Sequence, residues 1–296
     1  MKKKQLPRII LITVPLLLFI LLAPLSCGQV PGIDEKIGVA VTILPQEEFV
    51  RSVGGNMVDI VVMVPPGASP HSYEPKPSQI AGLAGVKMYA KVGSGVDFEL
   101  AWMDKLVAAN QEMLVVDCAE RVPLLETSEQ ESEHGGVDPH IWLSPRTARI
   151  MVQNIHQGLL ALDPAHRDDY QANLDAYLGK ITQLDQDIGA ALAGVERRTI
   201  MAYHPVFNYF ARDYNLEVLA IEQEGKEPTA VDLAHLIAAA REHKIRVIFA
   251  SPQFNPQSAR VIANEIGAEI VFMDPLAGDY VANLRSFLEQ LLKTLE

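Results

Sequence analysis

The chain has 296 residues, with 25 Lys and Arg against 37 Asp and Glu, and a formal net charge of -12 at pH 7. This acidic balance argues against nucleic-acid binding, which needs a basic surface. It suits a protein that handles cations, although an acidic surface also serves solubility. The length is enough for two domains of ordinary size.

The N-terminal segment has the pattern of an export signal. A short basic start is followed by an apolar run, residues 9–25, that is interrupted by two prolines. We interpret residues 1–26 as a signal peptide and residues 27–36 as a tether. Their removal takes away four basic and no acidic residues, which changes the net charge from -12 to -16. An uncleaved transmembrane anchor and simple secretion are the alternatives.

Cys27 favours a lipid anchor over both alternatives. It follows the small residue Ser26 at the end of the apolar segment, and it resembles the lipidated cysteine of the bacterial lipobox. Pro24 departs from that pattern, which usually has leucine three residues before the cysteine. The prediction is an exported, membrane-anchored lipoprotein at the periplasm or cell surface, lipidated on Cys27. Cys118 is then the remaining cysteine, and we expect a quiet, partly buried thiol.

After the tether, short strand-like runs alternate with helical patterns. The predicted strands are 37–43, 58–64, 87–92 and 113–117, and the predicted helices are 45–53, 77–84 and 97–108. Such alternation indicates a mostly parallel sheet covered by helices. The acidic segment 126–136 has no apolar periodicity and is predicted to be a loop. We assign residues 37–162 to an N-terminal α/β lobe.

Two consecutive helical patterns follow, 145–162 and 164–193, with no strand between them. Asp163 is the expected N-cap of the second helix, with Pro164 at its first position. This helix, assigned to residues 163–196, is too long for a routine crossover. The alternation resumes with strands at 199–202, 217–221, 247–250 and 269–272 and a final helix at 280–295. The predicted fold is therefore α/β, with two lobes joined by one long rigid helix, and the second lobe covers residues 197–296.

Four residues beside prolines are the candidate metal ligands: His71, His140, His204 and Asp274. They are spread along the chain, and each lies at or shortly after a strand-like run. Open α/β sheets gather binding groups at the ends of such strands. Three imidazoles and one carboxylate suit tetrahedral zinc, whereas more oxygen ligands would favour manganese or magnesium.

The other polar candidates have simpler explanations. His156, His166, His235 and His243 lie on helices or at helix starts and are expected on solvated faces. His134 lies in the acidic loop, where it could capture a metal ion transiently, although a plain solvated loop is favoured. Glu222 and Glu224 could support or replace a ligand, with exposed loop charges favoured. Trp142, Tyr73 and Tyr203 either shield the site from water or belong to the core.

Several longer strings then resemble one family. VPPGASPHSYEPKPSQI, VDPHIWLSP, YHPVFNYFARDYNL, EGKEPTAVDLAHLI and IGAEIVFMDPLAGDY together resemble the zinc and manganese solute-binding lipoproteins of ABC transporters, the cluster A-I receptors. The resemblance runs from about residue 37 to the C-terminus. It implies two α/β lobes joined by a rigid helix, with His71, His140, His204 and Asp274 as ligands. Histidine rather than a carboxylate at position 204 favours zinc over manganese.

The resemblance also implies a function. The chain would be a monomeric receptor, not an enzyme, that takes up Zn²⁺ outside the cytoplasm and delivers it to an ABC permease in the membrane. A manganese or mixed-metal receptor, and a surface adhesin of the same family, are the alternatives. An exported zinc hydrolase is less favoured, because no HExxH pairing of base and ligand occurs and Asp274 would fill the open coordination position.

Overall fold

The computed structural model describes residues 36–126, 136–222 and 226–295, and it contains two four-stranded parallel sheets. The strands are β1 (Ile37–Val41), β2 (Val58–Val62), β3 (Met88–Lys91), β4 (Leu114–Asp117), β5 (Thr199–Ala202), β6 (Glu217–Ala220), β7 (Val247–Ala250) and β8 (Glu269–Phe272). Their orders, β2-β1-β3-β4 and β6-β5-β7-β8, are the same pattern used twice. The predicted α/β fold with two parallel-sheet domains is confirmed.

Helices cover both sheets. They are α1 (Leu44–Gly54), α2 (Pro77–Ala81), α3 (Asp97–Ala109), α4 (Pro145–Leu162), α5 (Arg167–Leu192), α6 (Asn208–Tyr214), α7 (Ala230–Glu242), α8 (Gln257–Ile266) and α9 (Tyr280–Leu295). Within the described ranges, none of these helices is long and apolar enough to cross a bilayer. The predicted strands and helices agree with these bounds to within a few residues.

Helix α4 shows how the sequence sets a boundary. The Ser144 hydroxyl accepts a hydrogen bond from the Arg146 backbone N–H, and Pro145 occupies the first turn, where its missing N–H is not needed. Gly158 then lets α4 approach the first sheet closely, because a Cβ there would lie 2.5 Å from the Val116 side chain. The apolar stripe predicted for α4 therefore packs on β-strand side chains.

The long helix α5 spans 26 residues, which corresponds to roughly 39 Å. Its buried side chains recur every three or four positions: Tyr170, Leu174, Tyr177, Ile181, Leu184, Ile188 and Leu192. This stripe packs against α1, α4 and α9, which belong to different parts of the chain. One long helix thus contacts structure from both halves, as predicted. The exact domain boundaries, 37–162, 163–196 and 197–296, stay a prediction.

The start of the long helical segment agrees with the prediction. A 3-10 turn, Pro164–His166, has Asp163 at its N-cap position and Pro164 in its first turn, and α5 follows from Arg167. The Asp163 carboxylate accepts hydrogen bonds from His166 Nδ1 at 2.6 Å and from the Tyr170 hydroxyl at 2.9 Å.

The prediction that His156 lies on a solvated face is wrong. Only 2% of His156 is exposed, and its Nε2 atom has no hydrogen-bond partner among the described residues. Burial lowers the pKa of His156, because the charged imidazolium loses hydration. The prediction failed because α4 buries more than its apolar stripe, with Asn154 also enclosed. His235 and His243 are exposed as expected, and His134 lies outside the described residues.

Candidate metal-binding site

The candidate ligands follow strand ends, as the sequence predicted. His71 lies in the loop between β2 and α2, His140 lies beyond β4, His204 follows β5 after one residue, and Asp274 follows β8 after one residue. Parallel strands present their carboxyl ends at one edge of a sheet. The two sheets therefore bring residues from distant parts of the sequence close to one another.

Three histidines meet at one point. His71, His140 and His204 each offer a ring nitrogen, and these atoms all lie within 4.8 Å of one another. The Nε2 atoms of His71 and His204 are 3.3 Å apart. Two nitrogens bound to one tetrahedral zinc ion at about 2.0–2.1 Å are separated by about 3.3–3.4 Å. The spacing therefore fits two ligands of a single ion.

Each histidine has a carboxylate on its other ring nitrogen. Nδ1 of His71 lies 2.6 Å from Asp97, Nδ1 of His140 lies 2.9 Å from Asp138, and Nδ1 of His204 lies 3.1 Å from Glu222. If each Nδ1–H donates to its carboxylate, every Nε2 keeps its lone pair for a metal ion. Such carboxylate–histidine pairs orient the ring and increase its basicity as a ligand.

Asp97 and Asp138 were missed in the sequence. Asp138 stands two residues before His140 in VDPH, a spacing that could have suggested the pair. Asp97 lies 26 residues beyond His71, at the start of α3, and no local signal connects the two. The position of α3 on the first sheet, which the linear sequence does not display, brings Asp97 to His71.

The expectation that Glu222 is an exposed loop charge is wrong. Glu222 is only 4% exposed, and its backbone N–H donates to the Tyr203 carbonyl just beyond the ends of β5 and β6. Its carboxylate contacts His204 Nδ1, so it supports a candidate ligand rather than replacing one. Glu224 lies outside the described residues.

The electrostatics keep His204 neutral. Burial is the main cause that lowers the pKa of His204 to about 4, and charge on His140 and His71 acts in the same direction. The hydrogen bond that His204 donates to the Glu222 carboxylate opposes this shift. Burial alone would raise the pKa of Asp138, but the charge of His140 and hydrogen bonds from His140 and Asn208 hold it below its ordinary value. The site therefore combines a neutral imidazole with an ionised carboxylate, which suits a divalent cation.

Asp274 is not part of the three-histidine cluster. Its Oδ1 atom accepts hydrogen bonds from Gln253 Nε2 at 2.7 Å and from the Leu276 backbone N–H at 2.9 Å. These bonds fix the orientation of the Asp274 carboxylate. Its role as the fourth ligand stays a prediction.

Aromatic side chains border the histidines. The Trp142 ring lies 5.4 Å from the His140 ring, and its Nε1–H donates to the Pro275 carbonyl next to Asp274. Phe254, which the sequence did not indicate, lies 4.7 Å from the His204 ring and 6.4 Å from the His71 ring. Tyr203 lies 5.9 Å from Phe254, while Tyr73 stacks on Phe98. Trp142 and Phe254 thus limit water access to two sides of the cluster.

The chain has two parallel-sheet domains, a long helix that contacts both, and a cluster of histidines from both halves. This combination is typical of a two-domain receptor for a metal ion. Residues 39–294 match the model of the family described as zinc-uptake complex component A, periplasmic (ZnuA). The chain belongs to this family, which confirms the resemblance drawn from its motifs. The family is a family of substrate-binding receptors.

Individual relatives agree with this assignment. The chain is 28% identical to the high-affinity zinc uptake system protein ZnuA of Bacillus subtilis over 262 residues, which cover 85% of the chain and 82% of that protein. It is 26% identical to the zinc-binding lipoprotein AdcA of Streptococcus pneumoniae strain R6, covering 92% of the chain. The match spans only 57% of the length of AdcA.

Solved structures have the same architecture. A crystal structure of ZnuA is 39% identical, with a TM-score of 0.84, and the match covers 88% of this chain and 100% of that one. The laminin-binding protein Lmb of Streptococcus agalactiae is 26% identical, with a TM-score of 0.80 and the same coverage.

Proposed function

We propose that this protein is an extracytoplasmic receptor that binds Zn²⁺ through His71, His140 and His204 and delivers it to an ABC permease for uptake. The observation that carries the proposal is the convergence of three imidazole nitrogens within 4.8 Å, each imidazole having a carboxylate on its other nitrogen. The ion is the cargo of such a receptor, so the site must bind it tightly and also release it.

The relatives support zinc as the cargo. The Bacillus subtilis relative is a zinc uptake protein, the streptococcal relative is a zinc-binding lipoprotein, and a ZnuA deletion mutant that is 39% identical to this chain has zinc bound. Three nitrogen ligands also favour zinc over manganese, which prefers more oxygen. We propose Asp274 as the fourth ligand, reached by a small movement of the segment after β8.

Binding is favoured over hydrolysis by the carboxylates near the cluster. A zinc hydrolase keeps one coordination position open for water and needs a general base beside it. Asp97, Asp138 and Glu222 each contact an Nδ1 atom instead, so each one orients a ligand. Adhesion is compatible with transport, since Lmb is described as a bifunctional protein with adhesin and metal transporting activity.

We also propose that residues 1–26 are a cleaved signal peptide and that Cys27 carries the lipid that anchors a monomeric receptor to the membrane. Cys27→Ser should release the protein from membranes without changing its affinity for zinc. Retention of Cys27→Ser in washed membranes would favour an uncleaved anchor.

The decisive experiment is elemental analysis of the purified protein combined with competition between Zn²⁺ and Mn²⁺. We expect about one tightly bound Zn²⁺ per chain and weaker Mn²⁺ binding. The triple variant His71→Ala, His140→Ala, His204→Ala should lose tight binding. The matched control His235→Ala, His243→Ala removes two exposed imidazoles and should bind as the wild type does. Unchanged binding by the triple variant would overturn the site.

A further inference from the structure

Asp138 contacts the candidate site and also residues from far along the sequence. Its Oδ1 atom accepts hydrogen bonds from the backbone N–H and Nδ1 of His140, at 2.8 and 2.9 Å. Its Oδ2 atom accepts a hydrogen bond from Asn208 Nδ2 at 2.9 Å. Asp138 is 3% exposed, so bulk water has little access to replace a lost partner. The orientation of His140 therefore depends on a carboxylate that Asn208 also fixes.

Asn208 lies on the same short segment as another candidate ligand of the cluster. It begins helix α6 four residues after His204, and the intervening segment is held by a hydrogen bond from the Val206 N–H to the His204 carbonyl. His204 and Asn208 both follow β5 of the second sheet, whereas Asp138 and His140 follow β4 of the first. One hydrogen bond, Asn208 to Asp138, thus links the segments that carry two different ligands.

A second contact joins the same segments without touching the carboxylate. The Tyr209 hydroxyl donates to the Asp138 carbonyl at 2.9 Å and accepts from the Leu125 N–H at 3.0 Å. Tyr209 is fully buried and holds the backbone of the Asp138 segment. The backbone position and the carboxylate orientation of Asp138 are therefore controlled by two neighbouring side chains, which can be changed separately.

We propose that Asn208 is a positioning residue that slows metal release by holding Asp138 and, through it, His140. Without the Asn208 hydrogen bond to Oδ2, the Asp138 carboxylate can turn, and His140 loses the partner that fixes its Nδ1 proton. With Asn208 in place, the same hydrogen bond keeps His140 aligned and slows release. The proposal rests on zinc binding by this cluster, as argued above.

The test combines release kinetics with a direct measurement on the imidazole. Zinc dissociation into excess chelator would be followed by stopped flow for the wild type, Asn208→Ala and Asn208→Asp. We expect release about tenfold faster in Asn208→Ala, within the range typical of groups that orient metal ligands. Asn208→Asp, which places a second carboxylate opposite Asp138, should release zinc faster still. Asn208→Ser retains a donor and should fall between the wild type and Asn208→Ala.

The second readout is the tautomer of His140 in the metal-free protein, from long-range ¹H–¹⁵N correlation spectra. Asn208→Ala should reduce the population with the proton on Nδ1, while the matched control Tyr209→Phe should not. Equal release rates and tautomer populations in Asn208→Ala and the wild type would overturn the proposal. So would an equal loss of the tautomer in Tyr209→Phe. A wild type that binds no zinc would instead overturn the proposed function. The two failures can be told apart, because the tautomer measurement needs no metal.

Discussion

Nε2 of His71 and Nε2 of His204 lie 3.3 Å apart, although 133 residues separate them in the sequence. In the metal-free protein, one of these nitrogens can donate its N–H to the other. The distance is also close to the separation of two ligands on one zinc ion.

Substitution of Asp97 should weaken zinc binding although Asp97 touches no metal. In Asp97→Asn the group that orients His71 through Nδ1 loses its charge, and we expect affinity to fall about 10- to 100-fold. Competition titration with a zinc-binding dye measures the change. Asp104→Asn removes an exposed carboxylate from the same helix and should have no effect. Equal affinities for Asp97→Asn and the wild type would contradict the role of the carboxylate.

The metal-free protein should lose stability in mild acid because of His204. Its pKa in the folded protein is about 4, whereas an unfolded histidine titrates near its ordinary value of 6.5. Between these values the unfolded chain binds a proton that the folded chain does not, so the free energy of unfolding falls as the pH falls. The full shift corresponds to about 3 kcal/mol, with about 2 kcal/mol lost by pH 5.

Urea titrations at pH 7.5 and 5.0 in the presence of a chelator would measure this loss. His204→Gln cannot titrate and should show a smaller difference between the two pH values. The exposed His243→Gln should keep the difference seen in the wild type. If His204→Gln also keeps the full difference, then His204 does not account for the acid sensitivity.

Replacement of His156 should stabilise the protein. A buried polar atom without a hydrogen bond is unfavourable by about 1–3 kcal/mol, and His156 Nε2 is such an atom among the described residues. We expect His156→Leu to increase the free energy of unfolding at pH 7 by about 1 kcal/mol. Thermal and urea unfolding would measure it, with the exposed His243→Leu as the matched control. A loss of stability in His156→Leu would indicate that the imidazole fits its cavity better than leucine.

Removal of the acidic loop should leave zinc affinity almost unchanged. Glu126 and Val137, which flank residues 127–136, form an antiparallel bridge, so a short glycine linker can join them with little distortion. We expect an affinity change below tenfold, or about 1.4 kcal/mol, on deletion of residues 127–135. Calorimetry measures the change, and a linker of equal length made of Gly and Ser serves as control. A larger loss in the deletion than in the control would make the loop part of the binding site.

Local sequence patterns predicted much of the secondary structure and the candidate histidines. The periodicity of residues 145–162 predicted α4, and strand-like runs of four or five residues predicted β5, β7 and β8 at the bounds the structure has. Three proline-flanked histidines at strand ends pointed to a shared site, because parallel strands direct their carboxyl ends to one edge. The predicted exposure of His156 and Glu222 was wrong, since burial depends on contacts beyond the local segment.

Local periodicity and residue chemistry are enough to predict the alternation of strands and helices, the long helix and the histidines that form the cluster. The pairing of each carboxylate with its imidazole, in contrast, depends on three-dimensional packing. Asp97, Asp138 and Glu222 stand 26, 2 and 18 residues from their histidines, with no common spacing. Packing of helices and loops on two separate sheets sets these pairings. Local sequence patterns do not show which residues this packing brings into contact.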